Sequence, residues 1–177
     1  MSQEFRFCPS CATPLEMVTQ MEDGGEKDRL RCPACGYTHW NNPTPVLAAV
    51  IEYDGRILLA RNAAWTNHKM YALITGFMEA GETPQGGIER EILEETSLQT
   101  TSLDLIGVYD FQRMNQIIIA YHAVCTGDVK LSPELVDYKL YAFEDVKCWP
   151  AGTGYALADW LKSRGYDPEF VEWQKRT

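Results

Sequence analysis

The chain has 177 residues, 45% of them hydrophobic and 23% charged, with a formal net charge of −9. That composition excludes a disordered chain and argues for one domain of ordinary size with room for a small appendage. An acidic surface repels nucleic acid and anionic membranes, so neither long nucleic acid nor a membrane is an expected partner.

The first residues read MSQEFRF. They lack a cationic start followed by an apolar core, so no secretory signal is read. The apolar runs VLAAVI and QIIIAY have the length of strands, not of membrane spans. A cytoplasmic protein is therefore expected. Four of the six cysteines form two pairs, Cys8-x2-Cys11 and Cys32-x2-Cys35. In an intracellular chain such pairs point to metal before disulfides, and this spacing is a tetrathiolate zinc pattern. A closed shell of four cysteines leaves no position for chemistry, so the zinc would be structural. His39 follows Cys35 closely, but four thiolates already complete the shell. Dithiol redox chemistry is the alternative, and no thioredoxin-like βαβ context surrounds the pairs. Residues 1–42 thus read as a zinc ribbon. Its short strands are LEMVTQ and LRCPAC, and the polar run MEDGGEKDR is the expected tip between them. NNPTP, at 41–45, reads as a linker.

Residues 43–177 form the second unit. VLAAVIEY and RILLAR are strands around a DG turn, and MYALITGF is a further short apolar stretch. Thr83 is placed to cap a helix, with Pro84 in its first turn, running to about Ser97. Ile88 and Ile92, four apart, would face the core. LDLIGVYDF, QIIIAYHAVC and KLYAFED read as strands, and YALADWLKSR as a terminal amphipathic helix. Helices alternate with strands, yet several strands are joined by tight turns. The expected fold class is therefore α+β, with a mixed sheet between helices. Cys125 reads as a buried apolar thiol, and His68 and His122 as ordinary lone histidines. The aromatic tail YDPEFVEWQKRT reads as packed, against a partner chain, rather than dangling.

Residues 76–98, GFMEAGETPQGGIEREILEETSL, hold six glutamates and four glycines. On a helix, Glu94 lies near −60° and Glu95 near +40° from Glu91, so all three project into a sector roughly 100° wide. Carboxylates some 6 Å apart repel by about 3 kcal/mol per pair at an effective dielectric near 20. A structural surface would intersperse lysine, and here only Arg90 is near. A hard divalent cation, Mg²⁺ or Mn²⁺, removes the repulsion and bridges carboxylates to phosphates. Gly76 and Gly81 permit a tight loop that brings backbone close to a ligand, ahead of a helix N-terminus that favours anions.

The segment resembles the Nudix box, G-x5-E-x7-R-E-U-x-E-E-x-G-U, with U a bulky aliphatic. Gly76, Glu82, Arg90, Glu91, Ile92, Glu94, Glu95 and Leu98 match in register, and Ser97 stands where the family has glycine. The resemblance implies a Nudix-type α/β/α sandwich preceded by the ribbon. It implies Mg²⁺- or Mn²⁺-dependent hydrolysis of a nucleoside diphosphate linked to another group. Glu91, Glu94 and Glu95 would ligate the metal together with the Thr75 backbone carbonyl. Arg90 would orient the glutamates, and Glu82 would brace the loop. The general base would be a box glutamate or Glu134. Tyr71 is the leading candidate to stack on a nucleobase, with Phe77 and Tyr109 behind it and Trp65 read as capping the sheet.

A ribbon before the box is similar to NADH pyrophosphatases and to members acting on FAD or ADP-ribose. HKMYALITGFMEAGET and NQIIIAYHAVCTGDVKL carry that resemblance. Where NADH pyrophosphatases have an SQPWPFP-like signature, this chain reads YDFQRMNQIII, without Trp or Pro. The expected substrate is NAD(H), ADP-ribose or FAD, cleaved to AMP and a second phosphorylated product. The alternatives are nucleoside triphosphate or capped-RNA hydrolysis, and a non-catalytic nucleotide sensor. A homodimer is what the family implies.

Overall fold

A computed structural model describes residues 5–65 and 70–171; His68 and the last six residues of the tail lie outside them. Two compact units are found, Met1–Pro43 and Thr44–Thr177.

In the first unit, β1 (Glu16–Glu22) and β2 (Gly25–Arg31) form an antiparallel hairpin, and β3 (Thr38–His39) pairs with β2. The polar run expected as a tip instead lies mostly within the strands. Glu22 pairs with Gly25, so the turn is only Asp23-Gly24. The run reads as loop because of its charges, but those charges pair across the sheet. Glu22 takes Arg29 at 2.9 Å and Arg31 at 2.6 Å. Such cross-strand ion pairs suit a ribbon wetted on both faces.

The second unit holds one mixed sheet, in the order β7-β8-β4-β5-β9, with β6 also pairing β4. Its strands are β4 (Thr44–Tyr53), β5 (Arg56–Asn62), β6 (Ile74–Phe77), β7 (Gln99–Phe111), β8 (Gln116–Thr126) and β9 (Leu135–Tyr141). β4 and β8 are parallel, and the other pairs are antiparallel. Only the end of MYALITGF is strand; before it, Ala72 bridges Ala60 through two backbone hydrogen bonds of 2.9 Å. β9 lies earlier than KLYAFED suggested, because Leu135 already pairs with Asn62.

Helices α1 (Pro84–Thr96) and α2 (Thr153–Ser163) cover opposite faces of the sheet. Leu47, Ala49 and Ile51 face α1 and pack with Ile88 and Ile92. Val46, Ala48 and Val50 belong to the cores on the α2 side, with Ala156, Leu157 and Leu161. Burial on both faces is why β4 reads as an unbroken apolar run. His122 is buried too, its Nε2 2.9 Å from Glu52, and burial lowers its pKa. No helix among the described residues is long and apolar enough to cross a membrane.

Candidate active site

Helix α1 begins where the sequence places it. The Thr83 hydroxyl accepts the Gly86 amide at 3.1 Å, and Pro84 takes the first turn. It ends at Ser97, held at φ 59° in the left-handed region, with its amide donating to the Leu93 carbonyl. The family's glycine suits that conformation better than serine does.

Arg90 is the hub. Its guanidinium donates to both oxygens of Glu82 at 3.1 Å, to Glu91 at 2.8 Å, to Glu94 at 3.1 Å and to the Phe77 carbonyl at 3.3 Å. Glu82 in turn accepts the Glu79 amide at 2.6 Å. Strand β6, the glycine loop and α1 are thereby tied through one cation and one brace. The fit is close enough to explain two glycines. A Cβ on Gly76 would lie 1.9 Å from the Glu91 carboxyl carbon, and one on Gly87 would lie 2.5 Å from both Glu82 and Leu47.

The four glutamates of the box pattern differ in environment. The Glu91 side chain is 13% exposed and that of Glu94 59%. Arg90 holds the Glu82 carboxyl below its ordinary range. Burial pushes Glu91 up, against the pull of Arg90. Glu95 is pushed to about 7, by burial first and then by the charges of Glu91, Glu134 and Glu94. The cluster holds more negative charge than Arg90 balances, on a donor set of carboxylate oxygens. That set fits a hard divalent cation.

Glu134 sits exposed on the loop between β8 and β9, and its field reaches Glu95. The loop is docked on the end of α1. The Ser132 amide donates to the Glu95 carbonyl and the Lys130 amide to that of Thr96, each at 2.9 Å.

Strand β6 divides this cluster from a cavity of about 600 Å³ on the α2 side. Gly76 backs onto Glu91, whereas Thr75 contributes to the cavity wall. Tyr71 is on that wall. Phe77 is not; its side chain is 59% exposed, and its carbonyl is what the site uses. Tyr109 lies elsewhere, its hydroxyl donating to Asp159 at 3.0 Å. Trp65, Phe111, Tyr141 and Trp149 also line the cavity, and sequence reasoning missed them as a group. The aromatic content is a signal, but four separate segments supply these rings. Trp65 alone stands out in the sequence, as a cap of the sheet.

In the first unit, the sulfurs of Cys8, Cys11, Cys32 and Cys35 all lie within 4.8 Å of one another. Three of the separations are 3.5, 3.5 and 3.6 Å, far beyond an S–S bond. A tetrahedral shell with Zn–S near 2.3 Å needs sulfurs roughly 3.8 Å apart, so the donor set fits zinc. Each pair is followed by a left-handed residue, Ala12 at φ 59° and Gly36 at φ 76°. These close matching turns, Ala12 N–H to Cys8 C=O at 2.8 Å and Gly36 N–H to Cys32 C=O at 3.0 Å.

Comparison with known proteins agrees with this geometry. The family model for the NUDIX domain matches residues 42–161, and that described as Nudix N-terminal matches residues 6–41. Among curated relatives, the "NAD-capped RNA hydrolase NudC" of Vibrio cholerae serotype O1 is 30% identical over 148 residues, covering 82% of this chain and 52% of its own. The protein so named from Pseudomonas putida strain W619 is 24% identical over 157 residues, covering 88% of this chain and 54% of its own. The chain thus spans about half the length of the curated relatives it matches. A NUDIX hydrolase from Nitrosomonas europaea superposes with a TM-score of 0.75 at 24% identity, covering 94% of this chain and 96% of the other. An ADP-ribose pyrophosphatase from Streptococcus suis gives a TM-score of 0.58 at 17% identity, covering 73% of this chain and 100% of the other. With its box in register, its sandwich fold and the domain match over most of its length, this chain belongs to the NUDIX family.

Proposed function

We propose that this chain hydrolyses, with a divalent metal, the diphosphate bridge of a nucleoside diphosphate linked to a second moiety. The favoured substrates are NAD(H), ADP-ribose and FAD, and the products AMP and a second phosphorylated compound. One observation carries this reading. Glu91 of α1 packs against Gly76 of β6, Glu82 and Glu94 share its single guanidinium, and an aromatic cavity opens on the other side of that strand. Phosphates belong with the first and a ring system with the second.

Glu91, Glu94 and Glu95, with the Thr75 carbonyl, would hold Mg²⁺ or Mn²⁺. Bound there, the cation would neutralise the diphosphate and activate water. Arg90 fixes the rotamers of Glu91 and Glu94, so their oxygens are presented together. Glu82 holds Arg90 and the loop in place. A glutamate of the box or Glu134, whose charge reaches Glu95, would serve as the base. The four cysteines would hold a structural zinc, which accounts for how so short a ribbon folds.

A second reading has specific support: the curated relatives are named for NAD-capped RNA. The bond cleaved would be the same kind, and the net charge of −9 weighs against a long RNA. Incubation with Mg²⁺ or Mn²⁺ and NADH, NAD, ADP-ribose, FAD, NAD-capped RNA and nucleoside triphosphates distinguishes them. AMP plus a second monophosphate from one of the first four supports the proposal. Turnover of capped RNA alone favours the second reading. Release of pyrophosphate from triphosphates alone refutes both.

A further inference from the structure

Residues 132–135 read Ser-Pro-Glu-Leu. Serine followed by proline favours a β-turn, because proline presets φ at the second position and a serine hydroxyl can take a later amide of the turn. That turn forms here. The Leu135 amide donates to the Ser132 carbonyl at 3.1 Å, and the Glu134 amide donates to the Ser132 hydroxyl at 3.3 Å. Glu134 is thus the third residue of a closed turn, with a rigid residue before it.

The turn is fastened on both sides. The Ser132 amide donates at 2.9 Å to the Glu95 carbonyl, one of those that the end of α1 leaves without a helical partner. The Glu134 carbonyl accepts the Ala63 amide at 2.7 Å, from the segment that follows β5. Ser132 is half-buried, whereas Glu134 is exposed. With its amide and its carbonyl both taken, Glu134 has only its side-chain torsions left to search. That search takes place beside the cluster, since its charge acts on Glu95. Bringing one more negative charge to an acidic cluster costs stability, so folding alone does not explain the fastening.

We propose that Ser132 is a positioning residue, which binds Glu95 and Glu134 at once and so holds Glu134 as the base for hydrolysis. The inference rests on the proposed diphosphate hydrolysis and chooses between the two candidate bases. In that step the water oxygen bonds to phosphorus and its proton passes to the Glu134 carboxylate. The bridging P–O bond breaks, and its electron pair leaves with the departing phosphate.

Ser132→Ala removes the hydroxyl and keeps the backbone bonds of the turn, so it isolates the contact to the Glu134 amide. The substrate is whichever of NADH, NAD, ADP-ribose and FAD the wild type cleaves fastest with Mn²⁺. Glu134→Gln is expected to lower kcat by about 100-fold, the scale of a lost general base. Ser132→Ala should lower kcat by roughly tenfold with KM unchanged, and Ser132→Thr, which keeps a hydroxyl, should restore it. In the Glu134→Gln background Ser132→Ala should cost nothing further, because the group it positions is gone. Amide hydrogen exchange of the metal-free chain gives a readout apart from turnover. The Glu134 amide should exchange about fivefold faster in Ser132→Ala, the scale of one net hydrogen bond. The inference alone is overturned if an active wild type comes with a Ser132→Ala of unchanged kcat or unchanged exchange. It is equally overturned by a fully active Glu134→Gln, or by a Ser132→Ala loss that persists in that background. A wild type that cleaves none of the four compounds sinks the hydrolase reading itself, and the inference with it.

Discussion

The Arg90 guanidinium donates to Glu82, Glu91, Glu94 and the Phe77 carbonyl, while the charges acting on Glu95 are carboxylates. This asymmetry has a consequence for stability. The Glu95 carboxyl titrates near 7 in the folded chain, above its ordinary 4.5. Its stabilising contribution is therefore present below the unfolded value and lost as pH rises through about 7. Without added Mg²⁺ or Mn²⁺, Glu95→Gln should be more stable than wild type at pH 8, by roughly 1 kcal/mol after allowance for solvent screening. The gap should be much narrower at pH 5 and close below about 4.5, where the carboxyl is neutral in both states. Thermal unfolding at the two pH values checks this, and an unchanged gap would contradict it. With Mn²⁺ and a dinucleotide, Glu94→Gln and Glu95→Gln should each lose orders of magnitude in turnover. Backbone strain gives another single-residue test. Ala12 at φ 59° should gain about 1 kcal/mol on replacement by glycine. Ser97→Gly should gain less, because the Ser97 hydroxyl donates to the Lys130 carbonyl at 3.2 Å and that bond is lost.

Helix α1 was legible from its residues before any fold was known. Thr83, Pro84, Ile88 and Ile92 mark its cap, start and buried face, and each does what the local chemistry requires. Strand β6 was legible only in part, since MYALITGF is apolar throughout but pairs fully with β4 only over its last four residues. The limit there is tertiary: β4 has room on that side only beyond the short β4–β5 ladder at Ile51–Tyr53. The hairpin of the ribbon is legible but its tip is not, because polarity reads as loop, whereas here Glu22 pairs with both Arg29 and Arg31. The contact between α1 and β6 is the tightest in the site. Gly76→Ala must drive the Glu91 carboxylate out of its place, since the new methyl carbon would overlap it. We expect weaker Mn²⁺ binding and turnover lower by about 100-fold, with the circular dichroism of the fold retained. Wild-type Mn²⁺ affinity in that variant would show that Glu91 takes no part.

The two units carry different risks. The ribbon has a three-stranded sheet with little buried apolar surface, so its folding depends on its four thiolates. Cys8→Ser should lower both zinc content and Tm, and unchanged values for both would refute the metal site. The ribbon was legible from spacing alone, because its cysteines come in two close pairs. It could not reveal the cavity, whose wall draws on Trp65, Tyr71, Phe111 and Trp149 from loops and strand ends that only the sheet order brings together. The acidic cluster lies between these cases, for its carboxylates share one helix while Gly76, which makes room for Glu91, comes from a strand. Anomalous diffraction from a crystal soaked with Mn²⁺ and a non-hydrolysable dinucleotide tests the whole arrangement most directly. The expected result is manganese density among Glu91, Glu94 and Glu95, in contact with the phosphate bridge. Those side chains empty, with the nucleotide bound elsewhere, would contradict it.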